Sequence, residues 1–288
     1  MKSIIIFTAF TLYNVFAFAQ TDATIPTSES DIAKKNTLTL GTVYANNASY
    51  YGQKSDENTA YVAMAANYRF KSGFYLTGQA YKLLKEQTST VSASSLGAGV
   101  NFKLSERLTA DLSYSHSFYP ANSTLLQAGN ADNVSFSLTH ESWLNVSLTG
   151  DYAFGKTNDG FATGALSKSI NLFSIGKKDI VTINPSADIV AGTQHFYQTY
   201  RTEQKIRNTL LGIIPNPLTG GSSQDSISNT VAKTSFNILS YNFKLPLAYN
   251  RSHYVVEAAY QLSVLSKKAE SGAGKNNSFV TLSFYYQF

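Results

Sequence analysis

The stretch Phe279 to Phe288 reads FVTLSFYYQF, and its alternation decides the fold. Val280, Leu282, Phe284, Tyr286 and Phe288 fall on one parity, with Thr281, Ser283, Tyr285 and Gln287 on the other. Side chains two residues apart share a face of a strand, so this period describes one apolar and one polar face.

This stretch resembles the terminal strand of bacterial outer-membrane β-barrels, which also close on an aromatic residue. The resemblance implies that Phe284, Tyr286 and Phe288 form the assembly signal read by the barrel-assembly machinery. It covers the rest of the chain through architecture alone and implies no particular subfamily. The abundance of Tyr, Asn and Ser resembles barrels of Bacteroidota.

The other end agrees. Lys2 precedes a mostly apolar run from Ile4 to Phe18, and Ala17-Phe18-Ala19 fits a small-x-small cleavage pattern. Residues 1–19 are therefore expected to be a signal peptide. A membrane anchor fits less well, because polar Thr8, Thr11, Tyr13 and Asn14 interrupt the run and no basic stop-transfer residues follow. Residues 20–36 (QTDATIPTSESDIAKKN) are polar and read as a flexible periplasmic lead, leaving 37–288 for the barrel. The chain has no Cys, which excludes a lipoprotein anchor, disulfides and thiolate metal sites.

Composition supports a barrel. Aromatics are 13% of residues and charged residues only 14%, about half the usual share. No later stretch is long enough for a membrane helix, but a closed barrel satisfies its backbone between strands and needs only one apolar face. The net charge of +5 is dispersed, without the Lys/Arg clusters of a nucleic-acid face, so no nucleic-acid partner is expected. Outer-membrane lipid is the expected surrounding.

Period-2 runs bounded by turn residues number twelve: 37–46, 59–70, 74–84, 92–103, 107–118, 132–140, 144–154, 161–172, 180–192, 235–249, 254–265 and 279–288. Most suit the roughly 9–11 residues that a tilted strand needs to cross a bilayer. Even-numbered connections are short and most odd ones long, as expected of an up-and-down antiparallel transmembrane barrel with both ends in the periplasm. A β-sandwich is the alternative fold, without a reason for the signal peptide or the terminal Phe. Aromatics gather at strand ends: Tyr68, Phe70, Phe74, Phe102, Trp143, Tyr249, Tyr254 and Phe288 toward the periplasm, and Phe118, Tyr119, Phe154, Phe161, Phe196 and Tyr197 toward the exterior. These read as two interfacial girdles. Strand eight conflicts with the pattern, because the parity that exposes Leu166, Ile170 and Leu172 to lipid also exposes Lys168. A lysine at the midplane costs about 2–4 kcal/mol, which predicts a bulge, snorkelling or a shifted register.

The inward faces are polar. Expected lumen-lining residues include Asn67, Arg69, Gln79, Lys103, Asp111, Asp151, Asp188, Lys244 and Glu257. They read either as a wetted path for a small hydrophilic solute or as a self-satisfied network filling a closed lumen. Their mixed signs specify no ion selectivity. The longest connection, 193–234, carries the apolar patch Leu210, Leu211, Ile213 and Ile214, which favours packing into the lumen as a gate. The alternative is a strand pair extended beyond the membrane.

Three readings follow: a narrow channel constricted by loop 193–234, a non-conducting barrel whose outer loops bind a partner, and, remotely, a lipid hydrolase. The last rests on a register that sets Ser94 opposite His116, with Asp132 orienting the imidazole as in a nucleophile–base–carboxylate set. The flanking sequences SASSLG and SYSHSFYP lack the motif associated with outer-membrane phospholipases, so the chain is expected not to be an enzyme. Four scattered His without HExxH spacing predict neither a metal site nor a cofactor.

Overall fold

The computed structural model describes residues 35–55, 59–86, 90–120, 125–197, 201, 235–270 and 275–288. The expected signal peptide, nearly all of the lead, and the Leu210–Ile214 patch lie outside these residues.

The alternating sequence forms fourteen strand segments. They are β1 (Thr37–Ala45), β2 (Tyr61–Arg69), β3 (Phe74–Leu83), β4 (Ala93–Lys103), β5 (Leu108–Phe118), β6 (Asp132–His140), β7 (Asn145–Phe154), β8 (Asp159–Ser167), β9 (Ile170–Phe173), β10 (Asp179–Ile183), β11 (Ser186–Gly192), β12 (Asn237–Arg251), β13 (Tyr254–Leu265) and β14 (Asn276–Gln287). Segments β8 and β9 make one crossing, and β10 and β11 make the next, so the wall has twelve antiparallel crossings. It closes where β1 pairs with β14, from Thr39 opposite Gln287 to Ala45 opposite Thr281. No free edge remains at the closure, the condition for a β-structure in lipid.

The two broken crossings have a shared cause. Pro246 lies inside β12 and Pro185 between β10 and β11. Neither has an N–H for the ladder. The register nonetheless runs on through the gap: Ile183 faces Leu247 and Ser186 faces Lys244. Lys168 donates its amide to the Pro185 carbonyl (3.1 Å) and Asn184 to the Pro246 carbonyl (3.0 Å). The expected bulge at Lys168 is thus an interrupted ladder.

Alternation sets the two faces. Met64, Leu96 and Leu148 point outward and are 69%, 62% and 61% exposed. In water each would forfeit about 1.5–3 kcal/mol of burial, so a continuous surface of such residues is built for an apolar surrounding. On β14 the outward residues are Val280, Leu282, Phe284 and Tyr286, with Phe288 beyond them. The Phe288 amide still donates to the Leu38 carbonyl (2.9 Å), and its ring meets Tyr286 edge-on (4.7 Å).

One girdle differs from expectation. At the short-turn end Tyr68, Phe74, Phe102, Trp143 and Phe288 are exposed on the outside. At the long-loop end, Phe118 is exposed outside, but Phe161, Phe196 and Tyr197 are buried in the barrel mouth, and Tyr119 packs against an interior cluster. Phe161 shares the inward parity of Thr163 and Ala165.

Candidate functional site

The interior is graded along its length. Toward the short turns the inward residues Asn67, Arg69 and Asn101 are half-buried and Lys103 is exposed. Toward the long loops Ala45, Tyr61, Ala93, Ser117, Asn133 and Phe161 are all buried. Loop side chains pack against several of them: Leu125 clusters with Ala45, Tyr61 and Ala93, and Tyr50, Tyr51 and Phe196 cluster with Phe161.

One insertion comes from residues 46–55. Tyr50 and Gln53 exchange backbone hydrogen bonds (2.8 and 3.0 Å), closing a two-residue hairpin. Its central residues, Tyr51 at φ 50° and Gly52 at φ 79°, both lie in the left-handed region that a type I′ turn requires. The turn is held against the inner wall. Ser240 donates Oγ to the Tyr51 carbonyl (2.9 Å), and Asn277 donates Nδ2 to the Gly52 carbonyl (2.9 Å). Tyr51 stacks on Phe161 at a centroid distance of 3.7 Å, and Tyr50 meets Phe161 and Phe196 edge-on at 5.8 and 4.8 Å. Aromatic pairs of this kind contribute about 0.5–1.5 kcal/mol each beyond burial.

A buried carboxylate ties the neighbouring loops to this turn. Asp159, its side chain fully buried, accepts from Thr193 Oγ1 (2.7 Å), the amides of His195 (2.8 Å) and Phe196 (2.9 Å), and Asn130 Nδ2 (3.0 Å). The His195 ring nitrogen Nδ1 is 3.1 Å away. Asn130 follows the short helical turn Leu126–Gly129 and also reaches the Tyr50 hydroxyl (3.3 Å). Gln194 bridges to the last outer loop, donating to the Lys268 carbonyl and accepting from the Glu270 amide, both at 2.8 Å. Four connections therefore converge on one plug.

Of the nine expected lumen residues, Asp111, Asp151, Asp188, Lys244 and Glu257 are buried, Asn67, Arg69 and Gln79 are half-buried, and Lys103 is exposed. Tyr75 donates to Asp111 (2.9 Å), and the Arg69 guanidinium lies 5.3 Å from the Tyr75 ring centre. Asn242 donates Nδ2 to Asp188 (2.6 Å). Gln79 leaves its Oε1 without a partner. Lys103 sits at the rim, while Asp151, Lys244 and Glu257 are buried deeper.

The expected gate residues Leu210, Leu211, Ile213 and Ile214 lie outside the described residues. Loop 193–234 does begin inside the mouth, with Phe196 fully buried. Among the described residues, however, the element inserted against the inner wall is the Tyr50–Gln53 turn, which the sequence reading passed over. The available signal was an aromatic pair followed by Gly in a loop otherwise of small and polar residues.

The hydrolase register requires correction. Leu104 donates to the Leu108 carbonyl (2.8 Å), so Phe102 pairs with Ala110, Ser94 with Phe118, and Leu96 with His116. A shift of two keeps each side chain on its face but changes its neighbour. His116 Nδ1 does lie 2.7 Å from Asp132, which also accepts from the Tyr114 hydroxyl (2.6 Å). No hydrogen bond joins Ser94 to His116; the His116 ring packs edge-on against Phe118 (4.6 Å). The carboxylate and imidazole are assembled without the nucleophile.

No protein-family model and no curated protein matches the chain. Among solved structures, the KdgM porin aligns with 87% of this chain and 99% of its own at 10% identity, with a TM-score of 0.47. A bacterial polysaccharide outer membrane secretin covers 90% and 100% at 11% identity and a TM-score of 0.46. LpxR from Salmonella typhimurium covers 87% and 99% at 10% identity and a TM-score of 0.41.

Proposed function

We propose that the chain is an outer-membrane channel for small hydrophilic solutes, closed at its outer mouth by inward-folded loops. The carrying observation is the polar inner wall, from Arg69 and Asn101 at one rim up to Asp151 beneath the Tyr50–Gln53 turn. The apolar outer surface supports a lipid surrounding. The alternation of short and long connections supports periplasmic placement of Lys103 and Arg69 and exterior placement of the plug. Phe284, Tyr286 and Phe288, displayed outward beside the barrel seam, would engage the assembly machinery. In this reading the Tyr50–Gln53 turn is the inner constriction and loop 193–234, with its Leu210–Ile214 patch, an outer gate.

The filled mouth favours a second reading: a non-conducting barrel whose outer loops bind a partner. Single-channel recording in planar bilayers separates the two. The refolded protein would be measured beside one variant lacking residues 198–230 and another with 47–55 replaced by a short Gly-Ser link. Openings that lengthen or enlarge in either variant support a gated channel. Silence from all three, with native heat-modifiable folding, eliminates the channel and leaves the binding surface.

A further inference from the structure

One strand segment keeps a free edge at the short-turn end. Among the described residues β9 (Ile170–Phe173) pairs with β10 alone and ends the order of strands in the sheet. The neighbouring β7 stops short of it, its register with β8 running out at Asn145 opposite Ser167. The hairpin of β9 and β10 therefore projects past the β6–β7 turn with one side of its backbone unpaired.

Burial agrees with the projection. On β7 the inward residues Ser147, Thr149 and Asp151 are covered. In the hairpin every residue from Ile170 to Lys178 is exposed, so both faces stand clear of the barrel. Ile170, Leu172, Phe173 and Ile175 are among them, from 38% to 73% exposed. An open sheet edge does not occur in the hydrocarbon region, which places this one in the aqueous space beyond it. An exposed edge carrying apolar side chains is a template for a further strand.

Charge selects the partner. From Leu166 to Lys178 the sequence LSKSINLFSIGKK holds Lys168, Lys177 and Lys178 and no Asp or Glu. The next acid, Asp179, accepts from the amides of Ile175 (2.8 Å) and Gly176 (2.9 Å) and from the Tyr249 hydroxyl (3.0 Å), and Arg251 lies opposite it on β12. Glu141, in the adjacent β6–β7 turn, is half-buried and engaged. A second copy fits poorly, because its hairpin brings the same lysines. Barrel strands tilt by about 35–45°, so copies related by an axis along the membrane normal would also cross these edges at about 70–90°.

We propose that the β9 edge docks an acidic, extended segment of a periplasmic protein by strand addition. Backbone hydrogen bonds along β9 supply affinity and register, and Lys177 and Lys178 supply the preference for carboxylates. The assignment takes the short-turn end as periplasmic and does not depend on conduction; a binding assay in detergent is indifferent to both.

The full barrel, refolded in detergent, would be titrated against a fluorescent synthetic peptide alternating valine and glutamate, read by anisotropy. One control is the same peptide N-methylated throughout, which keeps the charge but blocks strand pairing. The other carries lysine in place of glutamate. The expected result is saturable binding of the acidic peptide, with both controls weaker by at least ten-fold. Bound peptide should slow hydrogen exchange at residues 170–173 and leave β13 unchanged. Lys177→Glu with Lys178→Glu, at the exposed tip, should weaken binding at least ten-fold without altering heat-modifiable migration. Equal binding of the N-methylated peptide reduces the contact to charge and overturns strand addition, as does absence of saturable binding. Binding that appears only after removal of residues 20–33 gives the edge to the chain's own lead and overturns the periplasmic partner.

Discussion

The Lys168 ammonium lies 3.7 Å from the centre of the Trp143 ring. This contact resolves the conflict at Lys168, a cation on the otherwise apolar outward parity of its own crossing. Lys168 sits where the ladder of β8 breaks, near the short-turn rim, and its stem runs to an indole that is 79% exposed. The side chain reaches the interface and finds a π-face there. A cation–π pair at an exposed site contributes about 0.5–1 kcal/mol. A double-mutant cycle of Lys168→Met and Trp143→Phe, read by urea unfolding in lipid vesicles, should return a coupling of that size. A coupling indistinguishable from zero would make the contact incidental.

The turn at Gly52 gives a sharper expectation. An added Cβ would lie 2.5 Å from Asn242 Oδ1 and 2.7 Å from Ser240 Oγ, at a φ that L-residues disfavour by about 1–2 kcal/mol. Gly52→Ala should therefore expel the Tyr50–Gln53 turn while leaving the barrel wall folded. Limited proteolysis of intact vesicles would show new cleavage within 46–55, with unchanged heat-modifiable migration. Resistance equal to the native protein would mean that the turn is held by far more than its own geometry.

Much of this architecture was legible because a lipid-facing wall imposes a two-residue period on every crossing. That period locates β14 from FVTLSFYYQF and β2 from Tyr61–Arg69 with boundaries within a few residues. What escaped depends on tertiary fit. Phe161 was grouped with the girdle by its position at a strand end, although its parity matches inward Thr163. The β4–β5 register depended on whether Leu104 joins the ladder, which a turn sequence does not announce. The breaks at Lys168 and Asn184 required two prolines, Pro185 and Pro246, to meet across neighbouring crossings. The inserted Tyr50-Tyr51-Gly52 turn is a matter of which side chains fill the mouth, and its partners Phe161, Ser240 and Asn277 are far away in sequence.

The plug should loosen in alkali. Burial raises the Tyr50 and Tyr51 hydroxyls above the ordinary tyrosine value, and the nearby Asp151 charge raises Tyr51 further; burial raises Tyr119 as well. A raised acid is protonated in the closed state and free to ionise in the open one. Closure is thus fully stable below about pH 10 and weakens as pH rises above it. Proteolysis of 46–55, sampled by brief exposure from pH 8 to 11.5, should accelerate only above about pH 10 in the native protein. Tyr50→Phe should flatten part of that rise. A profile unchanged by the substitution would remove Tyr50 from the linkage.

Asp159 offers the most direct handle on the loops above the turn. Its carboxylate accepts from two backbone amides, a hydroxyl and an amide nitrogen contributed by residues 193, 195, 196 and 130. Asp159→Ala leaves these donors facing a wall with no acceptor, at about 1–3 kcal/mol for each group that stays buried. The cheaper response is for the His195–Tyr197 segment to leave the mouth and solvate its amides. Hydrogen exchange should then show the His195 and Phe196 amides losing protection by at least ten-fold, while β13 and β14 amides keep theirs. Asp159→Asn, which retains one acceptor oxygen, should lie between. Equal protection in all three proteins would place the anchor of this segment in the Phe196–Tyr50 ring contact instead, and Phe196→Ala would then produce the loss that Asp159→Ala did not.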